Sequence, residues 1–177
     1  VYFYTLGLVA LSLPLSVYFT SVFQILLLVN WLAEGDFKMK WQRFRSNRAL
    51  WILLSFYLIH LVGLLWSDDL VYGLKDIRIK LPLFVLPLIV ATSPPLTKLQ
   101  TNRMLLLFTA GVFIASMASV MKLLGWLPGE VQGYRDLSLF MSHIRFSLMI
   151  VLALLVCVWF IFIMRNTISP AERVFYI

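Results

Sequence analysis

Residues 144–164 read IRFSLMIVLALLVCVWFIFIM, a run of twenty-one positions with one charge, Arg145. At 1.5 Å per residue a helix of that length covers about 31 Å, and the apolar core of a bilayer is about 30 Å thick. A strand of a membrane barrel needs only about ten residues, with polar and apolar positions alternating. No alternation occurs here. The run predicts a membrane-spanning helix.

Working back along the chain, 104–127 is a second full span, with Lys122 near its end. Residues 81–92 form a short stretch interrupted by Pro82 and Pro87, which borrows length from 70–80 lying partly in the interface. Residues 49–66 form a clear span containing His60. Residues 2–33 hold no charge and are too long for one upright helix, so they are either one helix kinked at Pro14 or two halves meeting there. The expected fold is therefore an all-α, polytopic membrane bundle with about five or six crossings. The chain opens inside an apolar run, and another begins at Val174. A piece of a longer protein is expected.

Composition agrees. Of 177 residues 62% are hydrophobic and 13% charged, and the mean hydropathy is +0.92. Soluble domains run about 45–50% apolar and about 25% charged. The single cysteine, Cys157, sits inside an apolar run and excludes a disulfide scaffold or a thiolate zinc site. The net charge of +7 is scattered in short clusters between apolar segments, which argues against a nucleic-acid partner.

The charges also order the loops. Segment 34–48 carries Lys38, Lys40, Arg43, Arg45 and Arg48 against Glu34 and Asp36; 93–103 carries only Lys98 and Arg103; 165–173 carries two arginines and one glutamate. Segments 67–80 and 128–143 are balanced or acidic. The positive-inside rule predicts 34–48, 93–103 and 165–173 on the cytoplasmic side and 67–80 and 128–143 outside. Trp31, Trp41, Trp51, Trp66, Tyr72, Trp126 and Tyr134 cluster at the predicted span ends, as an aromatic belt does.

No Gly-rich phosphate loop, helical metal-ligand pair or serine elbow is present. His60 reads as a neutral histidine bonded to a neighbouring helix, because a proton relay wants carboxylates and the complete spans contain none. Lys122 reads as a snorkelling interfacial lysine. The outer segments hold more chemistry. Lys75 and Arg78 share a helical face, with Lys80 to one side, and Ser142-His-Ile-Arg-Phe-Ser147 places Arg145 where the last span begins. Helix starts favour acids, so cations there suit an anionic ligand, and arginine's planar fork matches phosphate oxygens. Contacts to ordinary lipid phosphates are the bland alternative.

Five polar islands interrupt the apolar runs: Ser12-Leu-Pro-Leu-Ser16, Val29-Asn-Trp-Leu-Ala-Glu-Gly35 before a basic loop, Phe56-Tyr-Leu-Ile-His-Leu-Val-Gly-Leu-Leu-Trp-Ser-Asp68, Tyr72-Gly-Leu-Lys-Asp-Ile-Arg-Ile-Lys-Leu-Pro-Leu83 and Ser142-His-Ile-Arg-Phe-Ser-Leu-Met149. Together they resemble the N-terminal part of the O-antigen ligase and polymerase family, in the style of its Bacteroidetes members. The resemblance implies a multi-pass glycosyltransferase of the bacterial inner membrane. Such an enzyme moves a glycan from an undecaprenyl-pyrophosphate carrier to an acceptor, either the lipid A core or another glycan repeat. No metal, cofactor or nucleotide sugar is implied. It also implies Arg145 as a pyrophosphate-side arginine, with Arg78 and Lys80 as weaker candidates. The histidine that acts as general base in the family belongs to a large outer loop outside these residues, and His143 is not put in its place. The competing readings are a transporter or lipid-linked oligosaccharide flippase, and a non-catalytic scaffold.

Overall fold

The computed structural model describes residues 1–67, 69–126 and 138–167, with the side chains of 163–167 excepted. Among the described residues there are seven α-helices and no strand: α1 (Tyr2–Ser12), α2 (Val17–Ala33), α3 (Phe37–Ser46), α4 (Arg48–Gly63), α5 (Leu70–Thr92), α6 (Lys98–Leu123) and α7 (His143–Thr167). A single 3-10 turn, Leu64–Trp66, extends α4. The all-α expectation holds. Three stretches are each long and apolar enough to cross a membrane: Arg48–Trp66, Lys98–Leu123 and His143–Phe162. A fourth is reached if α2 and α3, bent by 112°, count as one broken span. Further crossings in the expected five or six would fall to α1, which is short, and to α5, whose first half carries Lys75, Asp76, Arg78 and Lys80. Only 11% of the apolar window of α7 is buried, and Leu148, Leu155 and Ile161 point outward. Such a surface belongs in lipid. This is a membrane protein.

Two compact units make up the chain. The first comprises Val1–Thr5 and Val22–Thr97, and the second Leu6–Ser21 with the chain from Lys98 onward.

In the first unit α4 and α5 form a hairpin. Leu50, Leu54 and Tyr57 are the buried stripe of α4, spaced at four and three as one helical face requires. Tyr57 meets Phe84 with ring centroids 5.3 Å apart. Each helix starts on a side-chain cap: the Asn47 side chain accepts from the Leu50 N–H (3.2 Å), and Asp69 accepts from the Tyr72 N–H (3.0 Å). The expected loop 67–80 is thus only a short link, and 70–80 is helix.

The expected break at Pro82 and Pro87 does not occur. Both prolines lie inside the continuous α5. Each removes one N–H from the ladder, while the turns on either side keep theirs. Where no water competes for the backbone, that loss bends a helix more readily than it ends one.

Segment 34–48, expected as a loop, is mostly α3. It is reached through a tight turn in which Gly35 (φ 66°) and Asp36 (φ 51°) are both left-handed. Glycine takes that conformation without a steric cost and aspartate is among the residues that tolerate it, so α2 ends and the chain swings into α3.

In the second unit α6 and α7 pack together. Met104, Gly111, Val112 and Ala115 form the buried stripe of α6. Its C-terminus closes on Gly125 (φ 76°), with the Trp126 N–H donating to the Met121 carbonyl, a Schellman closure. The uncharged 2–33 run is two helices, α1 and α2, split by a turn at 13–16. Pro14 is fully buried in that turn. A Cβ on Gly111 would fall 2.6 Å from the Leu11 carbonyl oxygen and 2.8 Å from Pro14 Cγ. Only a residue without a side chain lets α6 approach the turn this closely. Residues 128–137 and 168–173, assigned above to an outer and an inner loop, lie outside the described residues.

Candidate functional site

Hydroxyl side chains set the local background. Ser55, Thr92, Thr109, Ser116 and Ser147 each donate to a carbonyl three or four residues earlier in their own helix. In apolar surroundings this satisfies the hydroxyl without a partner helix. His60 behaves the same way: its Nδ1 lies 2.7 Å from the Phe56 carbonyl, one turn back. The neighbouring-helix bond expected for His60 is therefore replaced by a bond to its own helix.

Arg145 occupies the first turn of α7. That turn is closed by the Phe146 N–H donating to Ser142 O and by Ser147 Oγ donating to His143 O at 2.6 Å. The guanidinium is exposed and makes no hydrogen bond or ion pair among the described residues. Beside it, Ser119, Ser138, Leu139, Phe140, Met141 and Phe146 line a shallow, mainly apolar depression. Among the described residues no group of His, Cys, Asp or Glu could hold a metal ion.

Arg78 and Lys80 both lie on α5 in the first unit, but they differ. Lys80 Nζ sits 2.6 Å from Asp76 Oδ2, one turn away, so its charge is locally neutralised. Arg78 is exposed, as is Lys75 three residues before it on the same face. A spacing of two puts Lys80 about 200° round the helix from Arg78. The helix therefore offers an anion the Lys75–Arg78 face, and not the Arg78–Lys80 pair. The signal for this was in the sequence, as Asp76 at i, i+4 to Lys80, and the sequence reading passed over it.

Sequence reasoning also missed a clasp at the other end of the hairpin. Lys40, in the middle of a basic segment, is only 5% exposed. Its ammonium donates to the Trp31 carbonyl, lies 3.4 Å from Glu34 and sits 4.6 Å from the centre of the Trp31 ring. The Trp31 carbonyl needs that donor, because the Gly35 N–H that could have reached it turns to Leu32 O instead. One turn on, Arg43 Nη1 donates to Thr92 O at 3.0 Å, and Trp31 Nε1 donates to Thr92 Oγ1 at 3.0 Å. Two cations of α3 thus satisfy the last carbonyls of α2 and of α5, where the helix dipole also favours positive charge. No spacing rule announces this, since Lys40, Trp31 and Thr92 are brought together by the turn at 35–36 and by the hairpin.

Comparison with known protein families, with characterised proteins and with solved structures finds no match to this chain.

Proposed function

We propose that the chain forms part of a membrane glycosyltransferase-type ligase. It joins a glycan carried on undecaprenyl pyrophosphate to an acceptor sugar, as an O-antigen ligase or polymerase does in surface-polysaccharide and lipopolysaccharide synthesis. The observation that carries the reading is Arg145, an exposed guanidinium with no partner among the described residues, in the polar island 142–149 that opens an apolar helix. In the reaction the acceptor hydroxyl gives its proton to the general base that the resemblance puts outside these residues. Its oxygen attacks the anomeric carbon, the bond from that carbon to the pyrophosphate oxygen breaks, and the carrier pyrophosphate leaves with the bonding pair. A guanidinium beside the leaving group offsets the charge that grows on it. Arg145 is assigned that role. Arg78 is a second candidate, and Lys80, already held by Asp76, a lesser one.

The membrane is the bacterial inner membrane, with segments 34–48, 93–103 and 165–173 inside and 67–80 and 128–143 outside. The clasp supports placing 34–48 and the start of 93–103 on one side, because the bond from Arg43 to Thr92 holds them at one end of the α4–α5 hairpin. The link 67–69 lies at the other end. A flippase or transporter is the second reading, favoured by the break between α1 and α2, since discontinuous helices line many transport sites.

The test uses the intact gene in a deletion strain, with the surface glycan read on a gel. Arg145→Ala is expected to lower transfer by about 100- to 1,000-fold, the usual cost of removing one donor to a developing anion. Arg145→Lys should retain part of it. Lipid-linked glycan should then accumulate on the outer face of the membrane. Accumulation on the inner face favours the flippase, and an unchanged ladder removes Arg145 from the site.

A further inference from the structure

The five cations of segment 34–48 divide into two groups. Lys40 and Arg43 are consumed by the clasp, whereas Lys38, Arg45 and Arg48 are exposed. Along the same segment runs an aromatic ladder. Trp41 stacks on Phe44 (5.4 Å, 14°), and Phe44 meets Trp51 edge to face (4.7 Å). Trp41 is 62% and Trp51 49% exposed, although indole is costly to leave in water. The ladder bridges the joint between α3 and α4, and Arg45 and Arg48 flank that joint on either side of Asn47.

We infer that α3 is an interfacial helix and that its joint with α4 is a binding surface for anionic phospholipid headgroups. The 112° bend from α2 turns α3 away from the direction of the apolar helix before it. Indoles prefer the headgroup level, and three exposed cations supply the charge complementary to lipid phosphate. The acids of the segment do not cancel them: Glu34 pairs with the buried Lys40, which leaves Asp36 against three cations. Arg45 and Arg48 provide planar forks for phosphate oxygens, and Lys38 adds a point charge. The clasp fixes α3 at this depth, so the surface is built before any lipid arrives. The inference is independent of the transferase reading, because it uses neither Arg145 nor Arg78.

The experiment reconstitutes the full chain in vesicles of phosphatidylcholine with phosphatidylglycerol, brominating the acyl chains of one lipid at a time. Trp41 fluorescence is taken as wild type minus Trp41→Phe. Brominated phosphatidylglycerol should quench it more strongly than brominated phosphatidylcholine at equal mole fraction. Local enrichment should fall about fivefold for each cation removed, since each juxtamembrane cation is worth about 1 kcal/mol. In Lys38→Gln/Arg45→Gln/Arg48→Gln the preference should vanish, while quenching by brominated phosphatidylcholine stays, showing that α3 still lies in the interface. Lys38→Arg/Arg45→Lys/Arg48→Lys should keep the preference and guards against misfolding as the cause. Equal quenching by both lipids in the wild type overturns the inference. So does a preference that survives the glutamine variant, or one abolished by soluble glycerol phosphate, which would make the ligand a free phosphate.

Discussion

A polar clasp in the first unit contrasts with a close helix approach in the second. In the first, polar groups tie helix ends: the Lys40 ammonium on the Trp31 carbonyl, the Arg43 guanidinium on the Thr92 carbonyl, and the Trp31 indole on the Thr92 hydroxyl. In the second, Gly111 lets α6 press against the Leu11 carbonyl and the buried Pro14. Apolar helices in lipid gain little from hiding apolar surface, because lipid tails are equally apolar. Close approach and polar ties are what remain, and a clear case of each lies in a different unit. Gly73 in the first and the Thr20–Ser12 bond in the second show that neither unit uses one means alone. Ties suit helix ends, where carbonyls lack partners, and close approach suits a helix middle, where all are satisfied.

The sharpest way to break the contrast is to add volume at Gly111. Gly111→Val should cost about 3 kcal/mol, near the upper end of overpacking penalties, because a backbone carbonyl and a ring cannot swing aside. Unfolding from mixed micelles by denaturing detergent measures it. A cost near zero would mean that the turn at 13–16 yields, and that the second unit is not held by this contact. Lys40→Met keeps the side chain's length and removes its charge. It should cost about 2 kcal/mol by leaving the Trp31 carbonyl without its donor, and salt should barely screen the effect since the site is buried. If Lys40→Met costs more than Gly111→Val, the ranking of the two means is reversed.

Smaller again is the coupling between Trp31 and Thr92. A double-mutant cycle with Trp31→Phe and Thr92→Val should give about 0.6 kcal/mol, the average for hydrogen bonds between membrane helices. A value beyond about 2 kcal/mol would mark the clasp as cooperative. Lys80→Gln should be the mildest change. Its pair with Asp76 is a half-exposed i, i+4 contact worth under about 0.5 kcal/mol, and under the proposed transferase reading glycan transfer should survive its loss. A loss of transfer as large as that of Arg78→Gln would restore Lys80 as a ligand.

The spans at 49–66, 104–127 and 144–164 were legible because long apolar runs with at most one charge admit one solution in lipid, and α4, α6 and α7 lie over them. The caps at Asn47 and Asp69 were within reach of the same reading, being short polar residues just ahead of apolar runs. Pro82 and Pro87 misled it, because a helix breaker in water is tolerated where the backbone has no better partner than itself. The candidate cations, which lie in different units, were legible as residue types. Arg145 and Arg78 could be picked out by type and position, and the pairing of Lys80 with Asp76 was within reach as an i, i+4 spacing.

The sequence by itself determined that this protein lives in a membrane and is built of helices, since 62% apolar composition and apolar runs of about twenty residues with at most one charge leave no other solvent. Tertiary structure alone decided which cations remain available. Five basic residues between 34 and 48 look alike in the sequence. The left-handed turn at Gly35–Asp36 and the α4–α5 hairpin carry Lys40 and Arg43 onto orphaned carbonyls and leave Lys38, Arg45 and Arg48 outside. The physical reason is that a carbonyl at a helix end in apolar surroundings must find a donor, and the donor within reach is fixed by how the chain turns, not by its spacing along the chain.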